Sequence, residues 1–231
     1  MKRPILQFLR KTVALSIAAA LSSCAPNAQQ DAAVRDTAAF PVAHYHQARA
    51  RGEQVLQVDA AQSLLMLEVR RAGVLARFGH DHVVASHTVK GYVLPAEGRA
   101  DLMIRLDELT VDEASLRAQA GFDTQPSADD IAGTRRNMLS KVLESDRYPY
   151  ALVHIERKES AANLQVAITL HGQARSYQVP ATIERTKDGM AVSGSMQFNQ
   201  SDFGIRPYAV LNGALSVQDR LDLRFRIVAR Q

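Results

Sequence analysis

The chain of 231 residues contains no tryptophan and a single cysteine, Cys24, and aromatic residues make up only 6% of it. One cysteine excludes an internal disulfide, so the fold must rest on its apolar core. No thiol besides Cys24 is available for nucleophilic work. Neither a Gly-rich phosphate loop nor a Gly-x-Ser-x-Gly elbow occurs, and Asp81 beside His80 does not by itself make a catalytic triad. Catalysis is therefore not expected, and no cofactor is implied. Long apolar runs are also missing. Thr12 to Leu21 falls short of the roughly 20 residues that a bilayer-spanning helix needs.

What precedes and follows that stretch gives it a meaning. Lys2, Arg3, Arg10 and Lys11 form a basic n-region ahead of the apolar segment, which is the layout of an export signal. The segment ends in Leu21-Ser22-Ser23-Cys24, which resembles the lipobox of bacterial lipoproteins. That resemblance implies cleavage after Ser23 and acylation of Cys24, giving a membrane anchor. Ala25 stands where the sorting rule for such proteins looks for Asp, which implies the outer membrane, facing the periplasm. Loss of the four basic residues removes the formal excess of +4 and leaves a nearly neutral mature chain. A nucleic-acid partner, which requires a basic surface against phosphates, has no support. Protein partners are not legible.

From Ala25 to about Gly52 the composition is Ala, Gln, Asp and Arg with little aliphatic content, which reads as a flexible tether with a coil span of order 30 Å. His44 and His46 fall within it and are expected to be solvated. The remainder, residues 53–231, is long enough for one domain with a real core.

The dominant hydrophobic period in that domain is two. Leu102, Ile104 and Leu106 alternate with Asp101, Arg105 and Asp107, and Leu221, Leu223, Phe225 and Ile227 alternate with charged residues. The same pattern recurs from Leu164 to Leu170, from Tyr177 to Ile183 and from Met190 to Phe198, with Gly98, Gly172 and Asp188-Gly189 as turn signals. One segment differs. Between Ser127 and about Ser145, Ile131, Met138, Leu139, Val142 and Leu143 recur at helical spacing, with Ser127 and Asp130 in capping positions, and Tyr148-Pro149 ends the helix. About eight strands with one apolar face each, plus one inserted helix, predict a mainly β protein. Closing the sheet into an antiparallel barrel removes its edges. Period and strand count do not choose between a hollow barrel, a filled one and a two-sheet sandwich.

Several segments together resemble the YceI family of bacterial periplasmic lipid-binding proteins. They are Arg77-Phe-Gly-His-Asp-His-Val-Val84 leading to Val89-Lys-Gly91, Asn137-Met-Leu139 with Val142-Leu143 and Tyr148-Pro149, Leu170-His-Gly172, and Gln200-Ser-Asp-Phe-Gly-Ile205. The resemblance implies an extended, lipocalin-like antiparallel barrel holding a long apolar ligand, whether a polyisoprenoid, an isoprenoid quinone or a fatty-acid derivative. The Leu, Ile, Val, Met and Phe on the inward faces suit such a chain. Candidate ligand contacts are Phe78, His80, His82, Met138, Leu139, Val142, Phe203 and Phe225.

The sequence departs from the commoner family pattern at Gly79-His-Asp-His82, where two His flank an Asp. On a strand, His80 and His82 share one face. Three readings stay open. The pair clamps a polar head group, or it binds a metal or haem with help from His87, His154 or His171, or it satisfies buried backbone groups at a barrel corner.

Overall fold

The computed structural model describes residues 40–158 and 162–231, so the signal and lipidation expectations, Cys24 included, lie outside it. Helix α1 (Val42–Ala50) leads into β1 (Leu56–Val58), β2 (Leu64–Ala72), β3 (His82–Ser86), β4 (Lys90–Leu94), β5 (Arg99–Arg105) and β6 (Thr110–Val111). Two helices follow, α2 (Ala114–Gln119) and α3 (Ala128–Asn137), the latter prolonged by a π-turn over Met138–Val142. The chain then runs through β7 (Tyr150–Glu156), β8 (Asn163–Leu170), β9 (Gln173–Thr186), β10 (Gly189–Asn199), β11 (Ala209–Val210) and β12 (Leu215–Arg230).

These strands make eight staves. β1 and β2 both lie along β12, at Gln57↔Arg230 and Leu67↔Leu223, and are two halves of one stave broken at residues 59–63. In the same way β3 continues into β4 and β5 into β6, because β2 pairs with β3 while β1 pairs with β4. All neighbours are antiparallel, and the β1–β12 pairing closes the barrel. The breaks are corners, and their backbone groups are satisfied. At the first break the buried Ser63 hydroxyl accepts from Val228 N–H at 3.0 Å and donates to Asp59 C=O at 2.8 Å.

Alternation decides what faces inward. Leu164, Val166 and Ile168 on β8 are buried while the residues between them are half-exposed, as the period of two predicts. β3 breaks the alternation, with four consecutive buried residues from Val83 to Ser86. Its outer face is covered too. Leu116 of α2 packs over Met66, Val83 and Ala85, and such double burial erases the amphipathic signal of a strand.

The helix expected from Ser127 is present with its capping box: Ser127 Oγ accepts from Asp130 N–H at 3.2 Å, and the Asp130 carboxylate accepts from Ser127 N–H at 3.1 Å. The two-residue turn expected at Asp188-Gly189 lies one position earlier, at Lys187-Asp188, with Gly189 already paired to Thr186. Helices α1 and α2 are additions to the single helix expected.

Helix α1 also corrects the C-terminal boundary of the expected tether. Tyr45 and Ala48, three residues apart, are buried against Val55 and Leu94, and Tyr45 stacks on Tyr92 at 5.1 Å. The Tyr45 hydroxyl donates to Asp101 Oδ2 at 2.6 Å, and Arg99 and His154 hold the same carboxylate at 2.8 and 2.7 Å. His44 bonds Glu97 at 2.8 Å, while His46 stays exposed as expected. Chain order therefore begins at least ten residues before Gly52, because one aromatic side chain finds a polar anchor on the outer wall.

This clasp sets a pH window. Burial alone would raise the Asp101 carboxyl, but hydrogen bonds from Tyr45, Arg99 and His154 outweigh it and hold the group below its usual range. Its contribution is complete above the unfolded value near 4 and drains away as pH falls through the lower folded value. Tyr45 is raised, first by burial and then by the Asp101 carboxylate. Its contribution is complete below the unfolded value near 10 and is lost as pH rises through the higher folded value. Hydrogen exchange of the α1 amides should be slowest between about pH 4 and 10, after correction for intrinsic rates. Tyr45→Phe should weaken docking by about 1.5–3 kcal/mol and abolish the alkaline limb.

Candidate functional site

The barrel is hollow. A cavity of ≈ 550 Å³ fills its upper half, the end carrying α3 and the β2–β3 loop, and a second of ≈ 160 Å³ lies in its lower half. Leu65, Val153, Ile168 and Leu223 line both, so the two chambers meet at a waist. The larger lies within the roughly 300–1,000 Å³ of small-molecule sites. Its wall is aliphatic, drawn from inward positions such as Leu67, Ile104, Leu170 and Leu221. Met196, Phe225 and Ile227 help to line the lower chamber.

Helix α3 roofs the upper chamber. Arg135 staples it to the wall by donating to the carbonyls of Leu109 and Asp107, where β5 bends into β6. The π-turn at its end widens the helix so that Met138 and Val142 both reach the cavity. Such turns recur at functional sites because they re-aim side chains.

Polar groups line both ends, but differently: the lower chamber has three arginines, Arg99, Arg157 and Arg185, and the upper mouth a mixed set. His80, His82, Asp129, Asp130 and Arg71 line the upper mouth. His82 Nδ1 meets Asp112 Oδ2 at 2.6 Å. Asp112 also accepts from Val83 N–H at 3.0 Å and from the Arg117 guanidinium at 2.5 Å. Burial alone would push the Asp112 carboxyl up, yet the bonds from His82, Val83 and Arg117 hold it below the usual carboxylate range. Arg117 goes on to bond the carbonyls of Asp81 and Thr124, so this buried pair ties β3, α2 and the loop before α3 together. His80 packs edge-on to His82, with ring centroids 6.3 Å apart, and its buried Nδ1 has no hydrogen-bond partner among the described residues.

Six of the eight expected contacts reach a chamber: Phe78, His80, His82, Met138 and Val142 the upper one, Phe225 the lower. Phe78 does so from the lip, 65% exposed, with Arg77 over its ring at 4.6 Å. Phe203 does not line either chamber. It is fully buried behind Phe198, edge-on at 5.7 Å, and supports the wall instead of forming it. Leu139 is displaced as well, since the π-turn puts Met138 and Val142 on the inward face and carries the intervening Leu139 aside. Asp112, Arg117 and Asp129 carry no signal in the sequence, and Asp130 is legible there only as a helix cap. Asp112 lies 30 residues from His82 in sequence, and no local pattern announces the pair.

The metal reading of Gly79-His-Asp-His82 is not supported. Among the described residues no group of three or more His, Cys, Asp or Glu has metal-holding geometry. The expected helpers are engaged elsewhere: His87 bonds Glu113, His154 bonds Asp101, and His171 packs on Tyr148.

Comparison with known proteins bears on the whole domain. The family model of the YceI-like domain matches residues 56–229. The chain belongs to the YceI-like family. No curated protein matches it in sequence. Among solved structures, a polyisoprenoid binding domain from Saccharophagus degradans, implicated in plant cell wall breakdown, is 13% identical with a TM-score of 0.56, covering 76% of this chain and 97% of its own. Burkholderia cenocepacia BcnA is 14% identical with a TM-score of 0.51, covering 74% of this chain and 98% of its own. At such identities the likeness is one of fold, and it extends over essentially the whole YceI-like barrel.

Proposed function

We propose that this YceI-like protein encloses one long apolar chain, a polyisoprenoid, isoprenoid quinone or fatty-acid derivative, for carriage or storage at a membrane to which Cys24 anchors it. The observation that carries the reading is the pair of predominantly aliphatic chambers in series. A chain threaded through the waist gains about 0.8 kcal/mol per buried methylene. A dozen methylenes then supply roughly 10 kcal/mol, enough to offset much of the 4–15 kcal/mol cost of association without any charged contact. The Saccharophagus degradans relative, described as polyisoprenoid binding, lends the same direction.

The test is chemical. Protein made with its full N-terminus in a bacterial host, purified in mild detergent and extracted with organic solvent, should release a long-chain lipid in near-stoichiometric amount. A bare polypeptide that also ignores added long-chain probes would overturn the reading.

The lipobox-like Leu21-Ser22-Ser23-Cys24 supports an anchored, periplasm-facing protein. Stable anchoring takes more than one acyl chain, and a water-insoluble ligand is met at the bilayer. Cys24→Ser should bind ligand with unchanged affinity yet move from the membrane pellet to the soluble fraction. Pellet retention of that variant would remove the anchor from the proposal.

A further inference from the structure

The upper mouth carries more information than its polarity. Asp112 is a carboxylate held in its ionised form, and a carboxylate accepts hydrogen bonds only. The proton between it and His82 therefore sits on His82 Nδ1, and in the neutral imidazole this leaves Nε2 a lone-pair acceptor. His80 shows the opposite arrangement. Its Nδ1 is buried with no partner among the described residues. A buried N–H without an acceptor is the costlier state, so the proton belongs on Nε2, which becomes a donor. Two rings whose centroids lie 6.3 Å apart can share one oxygen, each through a hydrogen bond of about 2.8 Å.

Charge at the mouth narrows the choice further. Arg71, the one permanent cation lining the chamber, already donates to Gly79 C=O at 3.0 Å and stands 3.8 and 3.7 Å from the carboxylates of Asp81 and Asp123. Arg117 is spent on Asp112. Asp129 and Asp130 line the same end. A phosphate placed there would face two carboxylates and the His82 lone pair with no uncommitted cation among the residues lining this chamber to offset them, since Arg99, Arg157 and Arg185 line the other chamber.

We infer that His80 and His82 form a head-group site for a hydroxyl, so that the preferred ligand is a long-chain alcohol whose oxygen accepts from His80 Nε2–H and donates to His82 Nε2. The inference rests on the apolar-channel reading and assigns the chemistry of its upper end.

Three probes sharing one C20 isoprenoid tail test it: geranylgeraniol, its methyl ether and its monophosphate, each titrated against the full-length protein in detergent. The alcohol should bind about tenfold tighter than the ether, which has no proton to give His82, and the phosphate should bind weakest. Asp112→Asn offers a sharper readout. With its Oδ1 kept by Val83 and Arg117, its amide group replaces Oδ2 and donates to His82 Nδ1, which moves the His82 proton to Nε2. The alcohol-to-ether preference should then vanish while ether binding persists. If that variant does not fold, His82→Leu should likewise bring the ratio to about one. Equal affinity of the wild type for alcohol and ether, or phosphate bound as tightly as alcohol, would overturn the head-group assignment and leave the channel intact. Failure of all three to bind would overturn the channel itself.

Discussion

Asp112→Ala should lower unfolding free energy by about 3–5 kcal/mol, a large share of the 5–15 kcal/mol that holds a typical domain together. The Asp112 side chain is wholly buried and Arg117 nearly so. Removing the carboxylate strands a guanidinium in the interior, and unpaired buried charge is far more damaging than the pair is stabilising. Two further losses add to it. Val83 N–H and His82 Nδ1–H each lose their acceptor. The backbone at Asp112 has φ +56°, a left-handed conformation that Asp and Asn tolerate and Ala resists. Asp112→Asn keeps that tolerance and one acceptor oxygen, so it should cost distinctly less. Urea unfolding followed by circular dichroism checks both. Equal costs for the two variants would mean that the charge, which both remove, outweighs the acceptor oxygen and the backbone tolerance that Asn retains.

Leu223→Trp should cut affinity for a long chain at least 100-fold while sparing a short one. Leu223 stands at the waist, lining both chambers. An indole there shuts off the lower chamber, and each methylene excluded forfeits about 0.8 kcal/mol, so four to six cost roughly 3–5 kcal/mol. Overpacking adds a stability penalty of about 1–3 kcal/mol. A C8 probe confined to the upper chamber should bind as in the wild type. Because the chain has no other tryptophan, the new indole also reports occupancy through its fluorescence. Unchanged long-chain affinity would show that the ligand never passes the waist.

Particular residues show why the barrel was legible and much of its mouth was not. Leu164, Val166 and Ile168, like Leu221 to Ile227, face a cavity on one side and solvent on the other, so period two survives in the sequence. Ser127 and Asp130 sit three apart and announce their helix locally. The segment 82–86 reads poorly because α2 covers its outer face. Helix α1 carries no apolar stripe at all; one tyrosine and one alanine dock it, against nearby Val55 and against Leu94 and Asp101, which lie more than 40 positions away. The His82–Asp112–Arg117 chain is likewise a product of tertiary folding, and a reading based on spacing finds His80 and His82 but not the groups that set their protons. Phe203 carries the complementary lesson. A Phe beside a Gly turn suggests an inward plug, yet Phe198 already occupies that wall and Phe203 lies behind it.

The seam between β1–β2 and β12 has a consequence for how the molecule comes together. Ser63 and Val228, joined across it, are 165 residues apart, so the barrel cannot close until nearly the whole domain is in place. Until then β2 and β10 present unpaired edges, the condition that invites pairing with a second chain. Closure at such sequence separation is slow, and it leaves a period in which the interior is an open trough. A hydrophobic chain lying in that trough would be wrapped as the last strand zips shut.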